Sequence, residues 1–423
     1  MKVLLVNTSE RIGGAAVAAS RLMQALNRHG VKAKLLVRDK QTDHLCVVSL
    51  PRSWRLKWHF LWERIVIWAN CRFRRREIFS VDIACAGTDI TRLPEFREAD
   101  LIHLHWVNQG MLSLGDICRI LASGKPVVWT MHDMWPCTAI CHHARSCTHF
   151  HTECHHCPYL GSAAATHDLS YRLFRRKRQL FSGRRVQFVA CSYWLQQQAA
   201  QSALLKGQPL ACIPNPIDTH LFAPGSQSEA RRRLSLPADR RLLLFGCVKA
   251  TDPRKGVEYL TEACRLLAAQ HPDWVQQVGI VVVGAGSESF QSRLPFPVYP
   301  LPFATSEDRM ADIYRSVDLF VTPSLEENLP NTLMEAMACG TPCVGFHVGG
   351  IPEMIDHLST GYVARYRDAA DLAAGIGWVL SADADHYRQL SSQAVHKVAS
   401  CYAEGVVARR FLELYQRLSH SSH

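Results

Sequence analysis

Two glutamates with seven residues between them, Glu327 and Glu335, mark the stretch of this chain best suited to chemistry. An apolar strand precedes Glu327, a polar loop follows it, and Glu335 falls early in the next predicted helix. In open parallel sheets, ligands bind outside the carboxyl ends of strands, and the first amides of a helix can hold a diphosphate. A carboxylate beside such amides can accept hydrogen bonds from sugar hydroxyls. Taken alone, the pair would be better explained as a solvated loop with a glutamate near a helix start.

A cysteine cluster at residues 137–157 is the second candidate for chemistry. Cys141, Cys147, Cys154 and Cys157 have five, six and two residues between them. The interleaved histidines are His142, His143, His149, His151, His155 and His156. Four thiolates that include a Cys-x2-Cys half suit tetrahedral zinc, so we predict a structural zinc site. The alternatives are unpaired thiols or an adventitious disulfide.

The elements that must position these residues alternate between strands and helices. Strands are predicted at residues 2–7, 31–37, 101–105, 126–130, 242–245, 279–283, 319–322 and 343–346. Helices are predicted at residues 15–29, 258–269, 308–316, 331–339 and 403–418. This alternation predicts an α/β fold with two doubly wound, Rossmann-like domains. The turn-rich residues 213–218 separate the two halves, so the domain boundary is placed there.

Length and composition are those of a globular protein with two or three domains. The chain has 423 residues, 48% of them hydrophobic and 20% charged. Its formal net charge of +11 favours anionic partners: nucleotides, phosphates, acidic lipid surfaces or nucleic acid. No apolar run is long enough for a signal peptide or a transmembrane helix, so we expect a cytoplasmic location. Most of the 16 cysteines would then be reduced or bound to metal.

A tryptophan-rich basic stretch at residues 52–76 stands apart from this pattern. Its large apolar side chains at helical spacing are Trp54, Trp58, Leu61, Trp62, Ile65 and Trp68. The basic residues around them are Arg52, Arg55, Lys57, Arg64, Arg72, Arg74, Arg75 and Arg76. Such a helix is typical of a peripheral membrane contact, but it is equally consistent with a core-packing helix that has a solvated charged face. The basic residues within 171–181 either extend the same surface or form a solvated helix face.

The stretch around the two glutamates resembles the signature of glycosyltransferase family 4. The resemblance includes Pro-Ser at the start of residues 323–342, the Glu-x7-Glu spacing, Glu-Ala-Met-Ala-Cys-Gly-Thr-Pro, and residues 348–353. Further family motifs occur in the expected order at residues 13–14, 129–133, 214–218 and 254–256. The resemblance therefore covers nearly the whole chain. A Cys-rich insertion is similar to that of colanic-acid or exopolysaccharide-type members.

The resemblance implies a GT-B fold, with two Rossmann-like domains facing a cleft. The acceptor-side domain would be residues 1–212, with the insertion at 137–157, and the nucleotide-sugar donor domain would be residues 213–400. A C-terminal helix at 401–423 would pack back on the first domain. No metal or other cofactor would be required for catalysis. The one Asp-x-Asp, Asp383-Ala384-Asp385, lies between two helical patterns and is explained as helix capping.

By the same resemblance, individual residues acquire roles. His132 would line the sugar site, Glu327 would hold the transferred sugar, and Lys255 would neutralise the departing diphosphate. The predicted nucleotide-sugar-binding residues are Gly13, Gly14, Lys249, Arg254, Asn331, Thr332, Leu333 and Glu335. The family has an arginine six residues before the lysine, and here that position is Lys249. Aligning the strand end two residues earlier leaves no basic residue there, and a lysine lacks the bidentate fork of arginine.

The function implied is that of a retaining hexosyltransferase. It would move a sugar from a UDP- or GDP-sugar to a saccharide or lipid-linked acceptor, in exopolysaccharide or lipopolysaccharide assembly at the inner face of the cytoplasmic membrane. One alternative is a GT-B nucleotide-sugar enzyme acting on soluble substrates, such as an epimerase or a disaccharide synthase. The other is a non-enzymatic basic module, for nucleic acid for example. The two glutamates argue against it, so we expect no nucleic-acid partner.

Overall fold

The computed structural model describes residues 1–51, 53–73, 77–249, 252–302, 304 and 306–420, with the backbone alone for Lys249. The chain divides into two compact units. The first contains Met1–Pro216 and the chain from Val407 onward, and the second contains Ile217–Val406. In the described parts of the chain, no helix is both long and apolar enough to span a bilayer.

The first unit is built on a seven-stranded parallel sheet with strand order β3-β2-β1-β4-β5-β6-β7. Its strands are β1 (Lys2–Ser9), β2 (Lys32–Asp39), β3 (Val47–Ser49), β4 (Leu101–Leu104), β5 (Val127–Met131), β6 (Gln187–Ala190) and β7 (Leu210–Cys212). Its helices are α1 (Gly14–Arg28), α2 (Trp54–Asn70), α3 (Pro94–Glu98), α4 (Leu114–Leu121), α5 (Leu169–Phe181) and α6 (Tyr193–Gln201). The order of the strands reverses between β1 and β4, the topological switch point of a doubly wound sheet.

Alternate residues of β1 supply two separate cores, because successive strand side chains point to opposite faces. Leu4 and Val6 belong to the larger core, which includes most of the loop-rich region after β5. Val3 and Leu5 belong to the other core. That second core is completed by side chains from the end of the chain, Val407, Phe411, Leu414 and Tyr415.

The second unit has a six-stranded parallel sheet with strand order β10-β9-β8-β11-β12-β13. Its strands are β8 (Arg241–Lys249), β9 (Val278–Ala285), β10 (Val298–Leu301), β11 (Leu319–Thr322), β12 (Cys343–Phe346) and β13 (Gly361–Ala364). The helices that follow β7 in the chain are α7 (Gln227–Leu234), α8 (Val257–Gln270), α9 (Trp274–Gln277), α10 (Glu307–Ser316), α11 (Asn331–Ala338), α12 (Ile351–Met354), α13 (Ala369–Leu380), α14 (Ala384–Cys401) and α15 (Glu404–His420). The switch point here lies between β8 and β11.

The predicted α/β class and the two doubly wound sheets are confirmed. β11 and β12 have the predicted bounds, because polar or proline residues flank each apolar run. β8 is longer than predicted: after an irregularity between Gly246 and Lys249, the strand pairs again with β9 at Ala285. Asp383 caps α14 by accepting a hydrogen bond from the His386 amide at 2.8 Å, as the capping interpretation predicted.

Candidate functional site

Lys255 and Glu327 meet at the switch point of the second sheet. Lys255 ends a 3-10 helix, Pro253–Lys255, that follows β8, and Glu327 lies in the loop between β11 and α11. The distance between Lys255 Nζ and Glu327 Oε1 is 2.5 Å. Burial alone would lower the pKa of Lys255, but the adjacent Glu327 carboxylate more than offsets this and raises it. The lysine is therefore a fixed, charged ammonium at the position where parallel sheets bind ligands.

Two glycines allow neighbouring segments to pack closely on the loop that carries Glu327. Gly256 has φ +70°, and a Cβ there would lie 1.8 Å from the carbonyl oxygen of Pro323. Gly349 has φ +56°, and its Cβ would lie 2.0 Å from the carbonyl oxygen of Glu327. Only glycine fits both the backbone conformation and the space. The loop is thus held from both sides, which restricts where the Glu327 carboxylate can lie.

The start of α11 adds amides and a second carboxylate. Asn331, Thr332 and Leu333 form its first turn, in which the Leu333 N–H donates to the carbonyl oxygen of Pro330 at 3.2 Å. Glu335 is buried further along α11, and its Oε2 accepts a hydrogen bond from the Tyr314 hydroxyl at 2.9 Å. Since α11 begins directly after the Glu327 loop, the predicted residues of this stretch belong to one continuous segment of the second unit.

The two other predicted basic residues of the second unit have different positions. Arg254 precedes Lys255 on the same turn, and its guanidinium pairs with Asp252, Nη2 to Oδ2, at 2.8 Å. The carbonyl oxygen of Arg254 accepts a hydrogen bond from the Leu325 amide at 2.8 Å, so Arg254 also contacts the Glu327 loop. Lys249 ends β8, and its side chain lies outside what the structure describes. Its role as the substitute for the family arginine stays a prediction.

The remaining predicted residues belong to the first unit, at the carboxyl ends of its strands. Gly13 precedes α1 with φ +92°, a conformation that favours glycine, and Gly14 is the first residue of that helix. His132 directly follows β5. Its Nε2 lies 3.0 Å from Nδ1 of His105, the residue that follows β4. Burial lowers the pKa of His132 to about 4, so the ring is neutral near pH 7.

Sequence reasoning assigned no role to two groups beside His132. His105 was the last residue of a predicted strand, and His132 follows the next predicted strand. Because the carboxyl ends of neighbouring parallel strands lie side by side, these positions could have indicated the contact. Asp133 accepts a hydrogen bond from Trp106 Nε1 at 2.8 Å, and its Oδ2 lies 2.7 Å from His142 Nδ1. Burial would raise the pKa of Asp133, but His142 and the backbone amide of Trp135 lower it to about 2. This buried carboxylate fixes the segment after His132.

Neutral buried histidines predict a loss of stability in acid. Burial lowers the pKa of His103 to about 3, and Tyr415 and Thr130 contact its two ring nitrogens at 2.6 and 2.7 Å. An unfolded histidine titrates near 6.5, so below that pH the unfolded state binds more protons. We expect the free energy of unfolding to fall by up to about 1.4 kcal/mol per pH unit for each such histidine between about pH 6 and 4.

Urea unfolding followed by tryptophan fluorescence measures this slope, because eight of the ten tryptophans lie in the first unit. A His103→Gln variant keeps a polar group between Tyr415 and Thr130 but cannot titrate. It should show a shallower slope than the wild type. An identical slope in the two proteins would contradict the assignment of acid sensitivity to this histidine.

The four predicted zinc ligands line one cavity of the first unit. Cys141, Cys147, Cys154 and Cys157 all line one small cavity of about 20 Å³. Among the residues that the structure describes, however, no three His, Cys, Asp or Glu side chains are arranged to hold a metal ion. Burial raises the pKa of Cys141 to about 11 and that of Cys154 to about 12. Cys141, Cys154 and Cys157 pack as small apolar side chains in the larger core, and the zinc site stays a prediction.

Comparison with protein-family models identifies the family to which the chain belongs. A family model described as Glycosyltransferase Family 4 matches residues 12–221. A second model, described as Glycosyl transferases group 1, matches residues 239–382. The chain belongs to glycosyltransferase family 4. The family 4 match contains Gly13, Gly14 and His132, and the group 1 match contains Lys255 and Glu327, so the residues predicted from the sequence lie within the matched regions.

Curated relatives are glycosyltransferases that match part of this family 4 chain. The D-inositol 3-phosphate glycosyltransferase of Thermobispora bispora is 30% identical over 215 residues, which cover 48% of this chain and 49% of the relative. The enzyme of that name from Geodermatophilus obscurus is 32% identical over 203 residues, covering 45% and 43%. The chain thus spans about half the length of the curated relatives it matches.

Solved structures with the same fold cover the whole chain. Sucrose-phosphate synthase from Thermosynechococcus elongatus has a TM-score of 0.69 at 18% identity and covers 100% of both chains. Anabaena HepE in complex with UDP has a TM-score of 0.64 at 17% identity and covers 99% of this chain and 100% of its own. WaaG, a glycosyltransferase involved in lipopolysaccharide biosynthesis, has a TM-score of 0.61 at 13% identity and covers 98% and 99%. The family 4 chain therefore has the GT-B fold.

Proposed function

We propose that this family 4 chain is a retaining glycosyltransferase that moves a hexosyl group from a nucleotide sugar to a saccharide acceptor. The observation that carries the proposal is the Lys255–Glu327 pair at the switch point between β8 and β11. A cation and a carboxylate in contact there supply the two functions that the donor requires. One neutralises a diphosphate, and the other accepts hydrogen bonds from sugar hydroxyls.

In the proposed reaction, the bond between the sugar C1 and the diphosphate oxygen breaks, and the acceptor hydroxyl forms a new bond to C1 on the same face. The departing diphosphate gains negative charge, which Lys255 and the first amides of α11 stabilise. The proton of the acceptor hydroxyl is transferred to the departing diphosphate oxygen. Glu335 would hold the ribose hydroxyls, since its carboxylate is already fixed by Tyr314.

A UDP-sugar is the donor that the comparisons favour. Anabaena HepE, which shares the fold, has been solved with UDP and with UDP-glucose. A GDP-sugar is the second possibility for the base, and it makes the same diphosphate and ribose contacts. The contacts of Lys255 and Glu335 therefore do not distinguish uracil from guanine, and binding measurements with both donors are needed to identify the base.

For the acceptor, we propose a lipid-linked saccharide in surface polysaccharide assembly. WaaG, which shares the fold, is involved in lipopolysaccharide biosynthesis. A soluble acceptor is the second candidate. It is supported by the similarity to D-inositol 3-phosphate glycosyltransferases and by the fold shared with sucrose-phosphate synthase. Turnover with purified lipid-linked saccharides but not with sugar phosphates supports the first candidate, and the reverse result supports the second. The anomeric configuration of the product, read by NMR, tests retention.

A Glu335→Ala variant tests the donor site by binding alone. We expect UDP-sugars to raise the melting temperature of the wild type more than GDP- or ADP-sugars do, because a ligand that binds only the folded state stabilises it. Loss of a charge-assisted hydrogen bond worth about 1.5–3 kcal/mol should weaken donor binding in the variant by roughly tenfold or more.

The matched control is Glu262→Ala, since Glu262 is an exposed glutamate of α8 that pairs with Arg265 on the surface. It should bind the donor like the wild type. Equal donor affinity of Glu335→Ala and the wild type would remove Glu335 from the site. The absence of any thermal shift with all three nucleotide sugars would argue against the proposed function itself.

A further inference from the structure

The outward face of α2 carries large apolar side chains that the fold does not cover. Trp54, Trp58 and Trp62 have 69%, 51% and 53% of their surface exposed. Leu61 and Ile65 are exposed between and after them. Residues at these spacings lie on one side of a helix. We call this set, Trp54, Trp58, Leu61, Trp62 and Ile65, the tryptophan face.

The opposite side of α2 already supplies the packing that holds the helix in place. Ile67 is fully buried in the larger core. Arg64 pairs with the buried Asp82, with Nη2 and Oδ2 at 2.9 Å. The chain at Gly110 approaches so closely that a Cβ there would lie 2.7 Å from the Phe60 amide nitrogen. The tryptophan face is therefore not needed to attach α2 to the first unit.

The charges around the tryptophan face are positive. Arg55 and Lys57 are exposed, and by helical geometry they lie on its two sides. The one acidic residue of α2, Glu63, is completely buried. At the end of α2, Asn70 Oδ1 accepts a hydrogen bond from Arg172 Nη2 of α5 at 3.3 Å. Arg175 and Arg176, one turn further along α5, are also exposed.

We propose that the tryptophan face lies in the surface of an anionic lipid bilayer. Tryptophan prefers the region between water and acyl chains, because its ring is apolar and its N–H is polar. An apolar helix face bordered by arginine and lysine is the pattern of a helix that lies in the plane of that interface. Each basic residue near the surface adds attraction to anionic headgroups. This membrane contact goes beyond glycosyl transfer and does not depend on the donor site.

Vesicle flotation with the full chain tests the proposal. The probes are vesicles of phosphatidylcholine alone and of phosphatidylcholine with phosphatidylglycerol. The wild type should float with the anionic vesicles and lose binding as salt rises, since the charges are exposed and screened. A Trp58→Ser/Trp62→Ser variant should bind the anionic vesicles roughly tenfold or more weakly. Its melting temperature and donor binding should stay at wild-type values, because both side chains are exposed.

The matched control is Leu45→Ser, since Leu45 is an exposed apolar residue of the same unit outside the tryptophan face. It should bind vesicles like the wild type, whereas Arg55→Glu/Lys57→Glu should bind anionic vesicles more weakly. Equal binding by the tryptophan variant and the wild type would overturn the proposal. A second outcome would also overturn it: the wild type binds no vesicles but forms a dimer, measured by light scattering, and the tryptophan variant does not form this dimer. The tryptophan face would then join two copies of the chain.

Discussion

Replacing Lys255 with methionine is expected to lower kcat/KM for glycosyl transfer by about 10²–10³-fold. Methionine keeps most of the aliphatic volume but removes the charge that would stabilise the departing diphosphate. It also leaves the largely buried Glu327 carboxylate without its cation at 2.5 Å. Initial rates with a UDP-sugar at several concentrations measure the effect, and the loss should fall mainly on kcat because the diphosphate gains charge only as the bond breaks.

Lys397→Met is the matched control. Lys397 also pairs with a carboxylate of the second unit, Asp356, at 2.9 Å, but at the surface between α12 and α14. Surface pairs contribute little, so this variant should keep wild-type kinetics. A Lys255→Met/Glu327→Gln double variant should lose less than the sum of the two single losses, since the partners act together. Wild-type turnover in Lys255→Met would remove this residue from the reaction.

The second large effect is expected from Gly256→Ala, a change that adds one methyl group. At φ +70° a side chain costs about 1–2 kcal/mol, and the new Cβ would lie 1.8 Å from the carbonyl oxygen of Pro323. The backbone must therefore move at the junction of Lys255 with the Glu327 loop. A displacement of about 1 Å at a reacting site can cost on the order of 10² in rate.

Gly207→Ala is the control that separates the cost of the left-handed backbone from the cost of the close approach to Pro323. Gly207 has φ +82°, but a Cβ there would meet no atom within 4 Å. This control should lose only the stability that a left-handed residue costs and should keep its turnover. Thermal melting and initial rates of both variants give the comparison. Similar kinetics for Gly256→Ala and Gly207→Ala would show that the close approach to Pro323 does not position the site.

The second sheet was the part of the molecule most predictable from the sequence. Short apolar runs bounded by polar residues marked β11 and β12, and the spacing of Glu327 and Glu335 placed them on either side of a helix start. The contact between Lys255 and Glu327 could not be read from spacing, because residues 72 positions apart meet only through the strand order. Both residues were predicted from the resemblance to family 4, and their contact became visible only in the structure.

Other features depended on information that a linear pattern does not contain. The helical spacing of α2 was visible, but α2 has two apolar sides, and a periodic pattern does not tell which of them faces the core. The spacing of Cys141, Cys147, Cys154 and Cys157 matched zinc, but it does not fix whether four sulfurs in one cavity converge on a point. His105 was overlooked for a similar reason, since its contact with His132 joins neighbouring strands.

The packing of the chain from Val407 onward against the first unit constrains the order in which the protein can be made. Phe411 and Tyr415 complete the core that Val3 and Leu5 begin, and Tyr415 also contacts His103. A ribosome must therefore synthesise all of the second unit before these side chains become available. Until then the first unit has an open apolar surface, which exposes it to aggregation and to chaperones during translation.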